Sequence, residues 1–133
     1  MSQKNVAVVH ELNHAFNRGD YPAALSLLAR DVEWHVPPDV SIGEEVYRGI
    51  DEVPRGFALW LGAWEAYRFE FREVLDYGEH VVVAGTQIGR GRGSGVEVRL
   101  PTFNVFTLRD GKVTMMRNFE DRAAALAAAA SSG

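Results

Sequence analysis

Cysteine is absent from this chain. Disulfides, thiolate nucleophiles and thiolate metal sites are therefore excluded. The absence fits the reducing cytoplasm, the compartment expected here. An excess of basic charge is also missing. Fourteen Lys and Arg stand against 18 Asp and Glu, a formal net charge of -4, with both signs mixed along the chain. With no basic stripe to neutralise phosphates, nucleic acid is not an expected partner. Long apolar runs are lacking as well, so no membrane association is expected. The run from Val6 to Val9 is cut by His10 and Glu11, too short for the apolar centre of a secretion signal. What remains is an ordinary globular balance, 47% hydrophobic and 24% charged over 133 residues. That suffices for the core of a single domain, taken to span residues 1–133.

The chain divides into a helical first half and a strand-rich second half. Val6, Val9, Leu12 and Phe16 recur at helical spacing between Gln3 and Asn17, and Gly19 ends the pattern. Asp20 is placed to cap a second, short helix with Pro22 in its first turn and Leu25, Leu27 and Leu28 following. Asp31 to Val36 alternates with period two and stops at Pro37-Pro38, the signature of a strand. A short strand is expected at Glu45 to Arg48. A third helix, capped by Asp51, is expected to run to about Trp64, with Val53, Phe57, Trp60 and Trp64 on one face. Strands follow at Phe69–Leu75, Val81–Gly89, Val96–Leu108 and Val113–Phe119. Hairpin turns separate them at Asp76–Glu79 and Asp110–Gly111, and Arg90–Gly95 forms the third connection. Pro101 is expected to mark a bulge. The Ala-rich stretch Ala123–Ala130 reads as a helical tail fraying into Ser131, Ser132 and Gly133. Helices first and an antiparallel meander second is an α+β order.

Several motifs invite a specific chemistry. His10-Glu11-Leu12-Asn13-His14 matches the zinc-hydrolase pattern H-E-x-x-H, which places two histidines on one helical face and a glutamate beside them to activate a metal-bound water. No third ligand follows at the expected spacing, and Leu12 belongs to the core stripe, which turns the histidines toward solvent. The reading is an exposed pair with no metal; zinc hydrolysis is the minor alternative. The glycines at 89, 91, 93 and 95 do not complete G-x-G-x-x-G and lie between two strands, so they form a hairpin tip with Arg90 and Arg92 solvated. Ser26, Ser41 and Ser94 have no histidine and acid partners for a nucleophilic triad. Trp34, Trp60 and Trp64 either line a pocket or fill the core.

Four segments arrive in order: Asn17-Arg18-Gly19-Asp20-Tyr21, Asp31-Val32-Glu33-Trp34-His35-Val36-Pro37, Tyr47-Arg48-Gly49, and Phe106-Thr107-Leu108-Arg109-Asp110-Gly111-Lys112-Val113. Together they resemble the SnoaL-like and ketosteroid-isomerase-like families of the nuclear transport factor two-like superfamily, over nearly the whole chain. The resemblance implies an α+β barrel: a cone-shaped curved antiparallel sheet with three N-terminal helices on its concave face and none on the other. Members of these families include isomerases, dehydratases, epoxide hydrolases, polyketide cyclases and non-enzymatic binding domains, so fold does not decide activity. The general base of the ketosteroid isomerases falls at Val36, their tyrosine donor near Leu12 and their protonated aspartate at Asn104; the handed-down roles of that enzyme thus survive only as an amide donor. The catalytic arginine and aspartates of the limonene epoxide hydrolases fall near Gly85, Gln87 and Asn118, so that set is absent too.

Alternation together with this resemblance turns Val32, Trp34, Val36, Val83, Gln87, Asn104, Phe106, Leu108, Met116, Asn118 and Glu120 toward the cavity. The expected site is an apolar cone for a small apolar ligand, with Trp34, Val36, Trp60, Phe106 and Met116 as walls and Gln87, Asn104 and Asn118 as hydrogen-bonding groups. Glu120 is the single carboxylate and the candidate catalytic residue. Two functions stay open: a cofactor-free acid–base enzyme, and a non-catalytic ligand- or partner-binding domain. The opposite face of the sheet, with Val82, Ala84, Thr86, Ile88, Phe103, Val105, Val113, Met115 and Phe119, is expected to pair two chains into a homodimer.

Overall fold

The computed structural model describes residues 2–37 and 45–131. The order is α1 (Ser2–Asn17), α2 (Tyr21–Ser26), β1 (Leu28–His35), β2 (Val46–Arg48), α3 (Gly49–Gly62), β3 (Trp64–Tyr77), β4 (His80–Gly91), β5 (Glu97–Arg109), β6 (Lys112–Phe119) and α4 (Arg122–Ser131). The six strands form one curved, unclosed sheet in the order β2-β1-β6-β5-β4-β3. Every pairing is antiparallel except β1 with β6. No helix among the described residues is long and apolar enough to cross a membrane.

Local chemistry sets the boundaries. Asp20 caps α2 as expected, its carboxylate accepting from the Ala23 N–H. That helix ends at Ser26, however, and Leu28 begins β1 instead of continuing the helix. Helix α3 starts at Gly49, two residues before the expected cap, and the Glu52 carboxylate accepts from the Arg48 N–H (2.9 Å). It also stops at Gly62, so Trp64 is the first residue of β3 and not a member of the helical face. Pro101 lies in an unbroken register opposite Thr86 and makes no bulge. The irregularities fall elsewhere, between Leu28 and Glu33, Trp64 and Ala66, Phe71 and Glu73, and Thr107 and Leu108.

The inner face of the sheet packs against α1, α2 and α3. Val9, Val32, Val53, Val81, Val83 and Val113 are fully buried there, with Leu12, Leu28, Leu108 and Phe106 beside them. Val113 belongs to this cluster because Thr114 is an extra residue in β6 opposite Thr107 and Leu108, and one extra residue reverses the side on which the next side chain falls. The sequence reading, which ran the alternation straight through, had it on the outer face.

The outer face is not bare. Helix α4 lies on it and buries Val82, Val105, Ala125 and Ala129, with Leu75, Phe103 and Phe119 packed around them. The capping carboxylate of Asp121 receives the Ala124 N–H (2.7 Å), and Arg122 forks onto Glu73 of β3 (3.1 and 3.2 Å). That pair holds the Glu73 carboxyl below its usual range. A helix therefore sits on each face: the Ala-rich stretch is helical as expected, but packed on the sheet, and Ser132 and Gly133 lie outside the described residues. Ala84 and Ile88 are also buried within the single chain. The contiguous apolar surface on which outer-face pairing rested is mostly covered by the chain itself.

Two glycines of β4 make room for aromatic rings of β3. A Cβ at Gly85 would lie 2.2 Å from the Phe69 ring, and one at Gly89 would lie 2.5 Å from the Trp64 ring. Gly89→Val should therefore lift Trp64 off the sheet and cost about 1–3 kcal/mol of stability in urea unfolding. Near-wild-type unfolding of that variant would show that the ring has another place to go.

Candidate functional site

Between α1, α3 and the inner face lies a cavity of about 330 Å³. Its walls are built by alternation. On β3, Tyr67, Phe69 and Phe71 point inward at period two, opposite Gly89, Gln87 and Gly85. Trp34 of β1, Phe106 of β5 and Met116 of β6 face them, with Val9, Leu12 and Phe16 from α1 and Phe57 and Trp60 from α3. The rings touch in series. Phe16 meets Phe57 edge-on at 5.5 Å, Phe57 meets Trp34 at 4.9 Å, and Trp60 meets Tyr67 at 6.1 Å.

The polar groups form two short relays on this apolar wall. The indole N–H of Trp34 donates to Asn118 Oδ1 (2.8 Å), and Asn118 Nδ2 in turn donates to Asn104 Oδ1. An indole nitrogen only donates. That one fact orients both amides, and it leaves the Asn104 Nδ2 without a protein partner among the described residues. Across the cavity the Tyr67 hydroxyl donates to Gln87 Oε1, leaving the Gln87 Nε2 in the same condition. The floor is therefore rich in N–H donors. Burial pushes the Tyr67 phenol up from 10.0 to about 12, with a hydrogen bond from Trp60 pulling the other way.

The end of α1 is fastened to the rim of this wall. Phe69 lies on the outermost strand, where its backbone groups have no further strand to meet. The Asn17 side chain takes that role: its Nδ2 donates to Phe69 O (2.8 Å) and its Oδ1 accepts from Phe69 N (3.0 Å). Asn13 donates to the same carbonyl.

Trp34, Val36, Trp60, Gln87, Asn104, Phe106, Met116, Asn118 and Glu120 all line this one cavity. Val32, Val83 and Leu108 point the same way but belong to the solid core. Asn104 is nearly buried, whereas Glu120 is exposed, where the cavity meets solvent. Trp34 and Trp60 are wall, and Trp64 packs beside them instead of filling the space. Sequence reasoning missed Tyr67 because it began that strand at Phe69, and missed Phe69 and Phe71 because it assigned no face to that strand's side chains. The alternation Tyr67-Arg68-Phe69-Glu70-Phe71 was the available signal. It also missed Thr102, Asn13 and Phe57 as wall residues.

The competing motifs lie elsewhere. His10, Glu11 and His14 are exposed on α1, with the His10 ring tilted against Phe71 at 5.4 Å. Among the described residues no three His, Asp or Glu side chains are grouped to hold a metal. The glycine-rich connection is a hairpin tip, closed by Gly95 N–H to Gly91 O (3.0 Å). Its Arg92 is exposed as expected, and it also donates to the carbonyls of Gly62 and Trp64 (3.0 and 2.9 Å), holding the tip against the end of α3. Ser26 donates to Ala23 O and Ser94 accepts from the Val96 N–H; Ser41 lies outside the described residues.

Two tests follow from this geometry. In Asn118→Leu the Trp34 N–H and the Asn104 carbonyl lose their partner inside the wall, which should cost about 1–3 kcal/mol in urea unfolding. For Tyr67 the folded chain holds its proton to about pH 12 and the unfolded chain releases it near 10. The unfolded state then binds fewer protons across that window, so this contribution is complete below pH 10 and is lost as pH rises toward 12. Tyr67→Phe should flatten the fall in stability over that range and remove one late-titrating phenol from the ultraviolet difference spectrum.

Comparison with known proteins places this geometry. The chain matches the SnoaL-like domain model over residues 9–116. No curated protein matches it. Among solved structures it is similar to TerC, crystallised with polyporic acid, at 25% identity and TM-score 0.80, covering 96% of this chain and 99% of that one. An NTF2-like protein of unknown function from Burkholderia pseudomallei is 26% identical, with TM-score 0.80 and coverage of 97% and 98%. A putative SnoaL-like polyketide cyclase from Jannaschia shares the fold at 22% identity and TM-score 0.78, covering 99% of this chain and 95% of that one. With a cone-like sheet, a cavity at its inner face and a family match spanning most of its length, this chain belongs to the SnoaL-like domain family.

Proposed function

We propose that the cavity binds a small, ring-bearing, mostly apolar molecule whose oxygen atoms accept hydrogen bonds from Asn104 and Gln87. The observation that carries this reading is the Trp34–Asn118–Asn104 relay. Trp34 polarises the two amides in one sense, so an amide N–H is presented where a ligand oxygen would sit. A carbonyl, a quinone oxygen or a phenolate matches that donor; an ammonium or a bare hydrocarbon does not. The aromatic walls suit a flat ring by stacking and edge contacts. That a relative 25% identical was crystallised with polyporic acid is in keeping with a ligand of this kind.

Proton transfer by Glu120 is the second reading. Glu120 is the one carboxylate among the described lining residues, on the strand end that also carries Asn118. A donor floor that steadies a developing oxyanion and a carboxylate at the mouth that moves a proton would together serve a cofactor-free isomerisation or cyclisation. The exposure of Glu120 favours binding alone, since a desolvated carboxylate makes the stronger base. Pairing of chains through the outer face forms no part of this reading, because α4 occupies its centre.

Tryptophan fluorescence titrations with 1-naphthol, 1,4-naphthoquinone and naphthalene should separate these ideas. The two oxygen-bearing rings should bind more tightly than naphthalene. Asn104→Leu should weaken them about tenfold, the worth of one hydrogen bond of about 1.4 kcal/mol, and leave naphthalene unchanged. Equal affinity for all three rings would refute the donor-floor reading. Should a turnover assay be found, Glu120→Gln should abolish activity and spare binding if Glu120 moves the proton.

A further inference from the structure

Strand β5 is longer than the neighbour that covers it. It pairs with β4 along its whole length, from Glu97 opposite Arg90 to Thr107 opposite His80, but with β6 only from Phe103 onward. Among the described residues, no strand pairs with residues 97–102 on the β6 side. The direction of the backbone groups there follows from one bond. Gly91 N–H donates to Val96 O (2.9 Å), so Val96 faces β4. Successive residues of a strand alternate in this respect. Val98 and Leu100 therefore also face β4, and Glu97, Arg99 and Pro101 turn their backbone groups to the open edge. Pro101 fits this position, because the N–H it lacks is one that nothing in the sheet would meet.

The side chains on this edge alternate apolar and charged, Val96-Glu97-Val98-Arg99-Leu100, and within the chain Arg99 donates to the Glu97 carboxylate (3.0 Å), a pair that a second copy would extend into a four-charge cluster. Val96 is 60% and Leu100 39% exposed, and both charged residues are exposed. We infer that this edge pairs with the same edge of a second copy, antiparallel, about a two-fold axis at Val98. In that register Glu97 lies opposite the partner's Arg99, and Arg99 opposite the partner's Glu97. These are the residues whose backbone N–H and C=O groups face outward, so each pair closes two ladder bonds as well as an ion pair. Val96 lies opposite the partner's Leu100, and Val98 opposite the partner's Val98.

Charge selects this register over its neighbours. Facing edges keep their hydrogen bonds only when the shift is two residues. One such shift sets Glu97 against Glu97, and the other sets Arg99 against Arg99 with Glu97 opposite Pro101, which has no N–H to give. Like charges directly opposite are unfavourable. The pairing is also self-limiting. Beyond Arg99 comes Pro101, and the Gly95 N–H that would face it is already bonded to Gly91 O. A closed two-fold dimer results, not an open array. Leu100 lines the cavity, so the partner's Val96 would extend the apolar rim of each site.

The chain has no cysteine, so Val98→Cys introduces a single thiol. At a non-hydrogen-bonded antiparallel pair the two Cα atoms stand about 4.5 Å apart, within disulfide range. Under mild oxidation Val98→Cys should cross-link to a dimer far faster than Glu79→Cys, a control in the exposed turn between β3 and β4. In sedimentation velocity Arg99→Glu should raise the dimer dissociation constant about tenfold or more, and the exchange Glu97→Arg with Arg99→Glu should restore it. Cross-linking no faster than the control would overturn the proposal. So would a wild-type chain that stays monomeric, an Arg99→Glu chain that associates as before, or an exchange that fails to rescue. Because the exchange keeps the composition of the edge and only swaps its charges, a rescue separates pairing from a loss of folding.

Discussion

The parallel ladder between β1 and β6 is the constraint on which the rest of the molecule depends. Among the described residues it is the only parallel pairing and the only strand ladder between the first half of the chain and the meander. Trp34 stands opposite Met116 in that ladder. Its indole N–H therefore reaches Asn118, one inward position farther along β6, and through it Asn104 on β5. A register slip of one residue would send Trp34 to the outer face and break the relay at its first donor. The same seam closes the cavity on one side, while α1, held by Asn17 to the edge of β3, closes it on the other.

The two faces of the sheet solve different problems. The inner face buries a set of β-branched side chains against three helices and keeps a void where aromatic residues cannot interdigitate further. The outer face has no void, and α4 covers its centre with small alanine side chains that let the helix approach closely. Arg122 and Glu73 fasten that helix at its start. Apolar residues that look like an interface in the sequence are thus satisfied within one chain. Backbone groups of residues 97–102 of β5 still face outward, as do those along the outer edges of β2 and β3.

The chemistry of the cavity is that of amides and a phenol, with one carboxylate at its mouth. Positions where the resemblance to the ketosteroid isomerases and epoxide hydrolases leads one to expect acids hold Val36, Asn104, Gln87 and Asn118. Amides keep the hydrogen-bonding geometry of carboxyl groups but do not exchange protons near neutral pH. Such a wall would suit the binding of a ligand oxygen and the stabilisation of an oxyanion equally well.

Much of this was legible along the chain. Periodicity located every helix and strand, and alternation on β5 and β6 turned Asn104, Phe106, Met116 and Asn118 to one side, because a strand obeys period two wherever it is regular. The reading failed where regularity failed. Leu28 and Trp64 were assigned to helices, since an apolar residue next to a helix continues its stripe as readily as it starts a strand. Val113 was assigned to the wrong face because a single extra residue, Thr114, leaves no mark in composition. What only the tertiary structure decided is of another kind. The orientation of Asn104 and Asn118 comes from a tryptophan 84 residues away from Asn118. The exposure of Glu120 comes from where the cavity opens, and the cover over Val82 and Val105 comes from a helix at the far end of the chain. Local patterns record how a segment lies relative to its own axis. They hold no record of which distant group meets a side chain, and that meeting sets the donor, the burial and the chemistry.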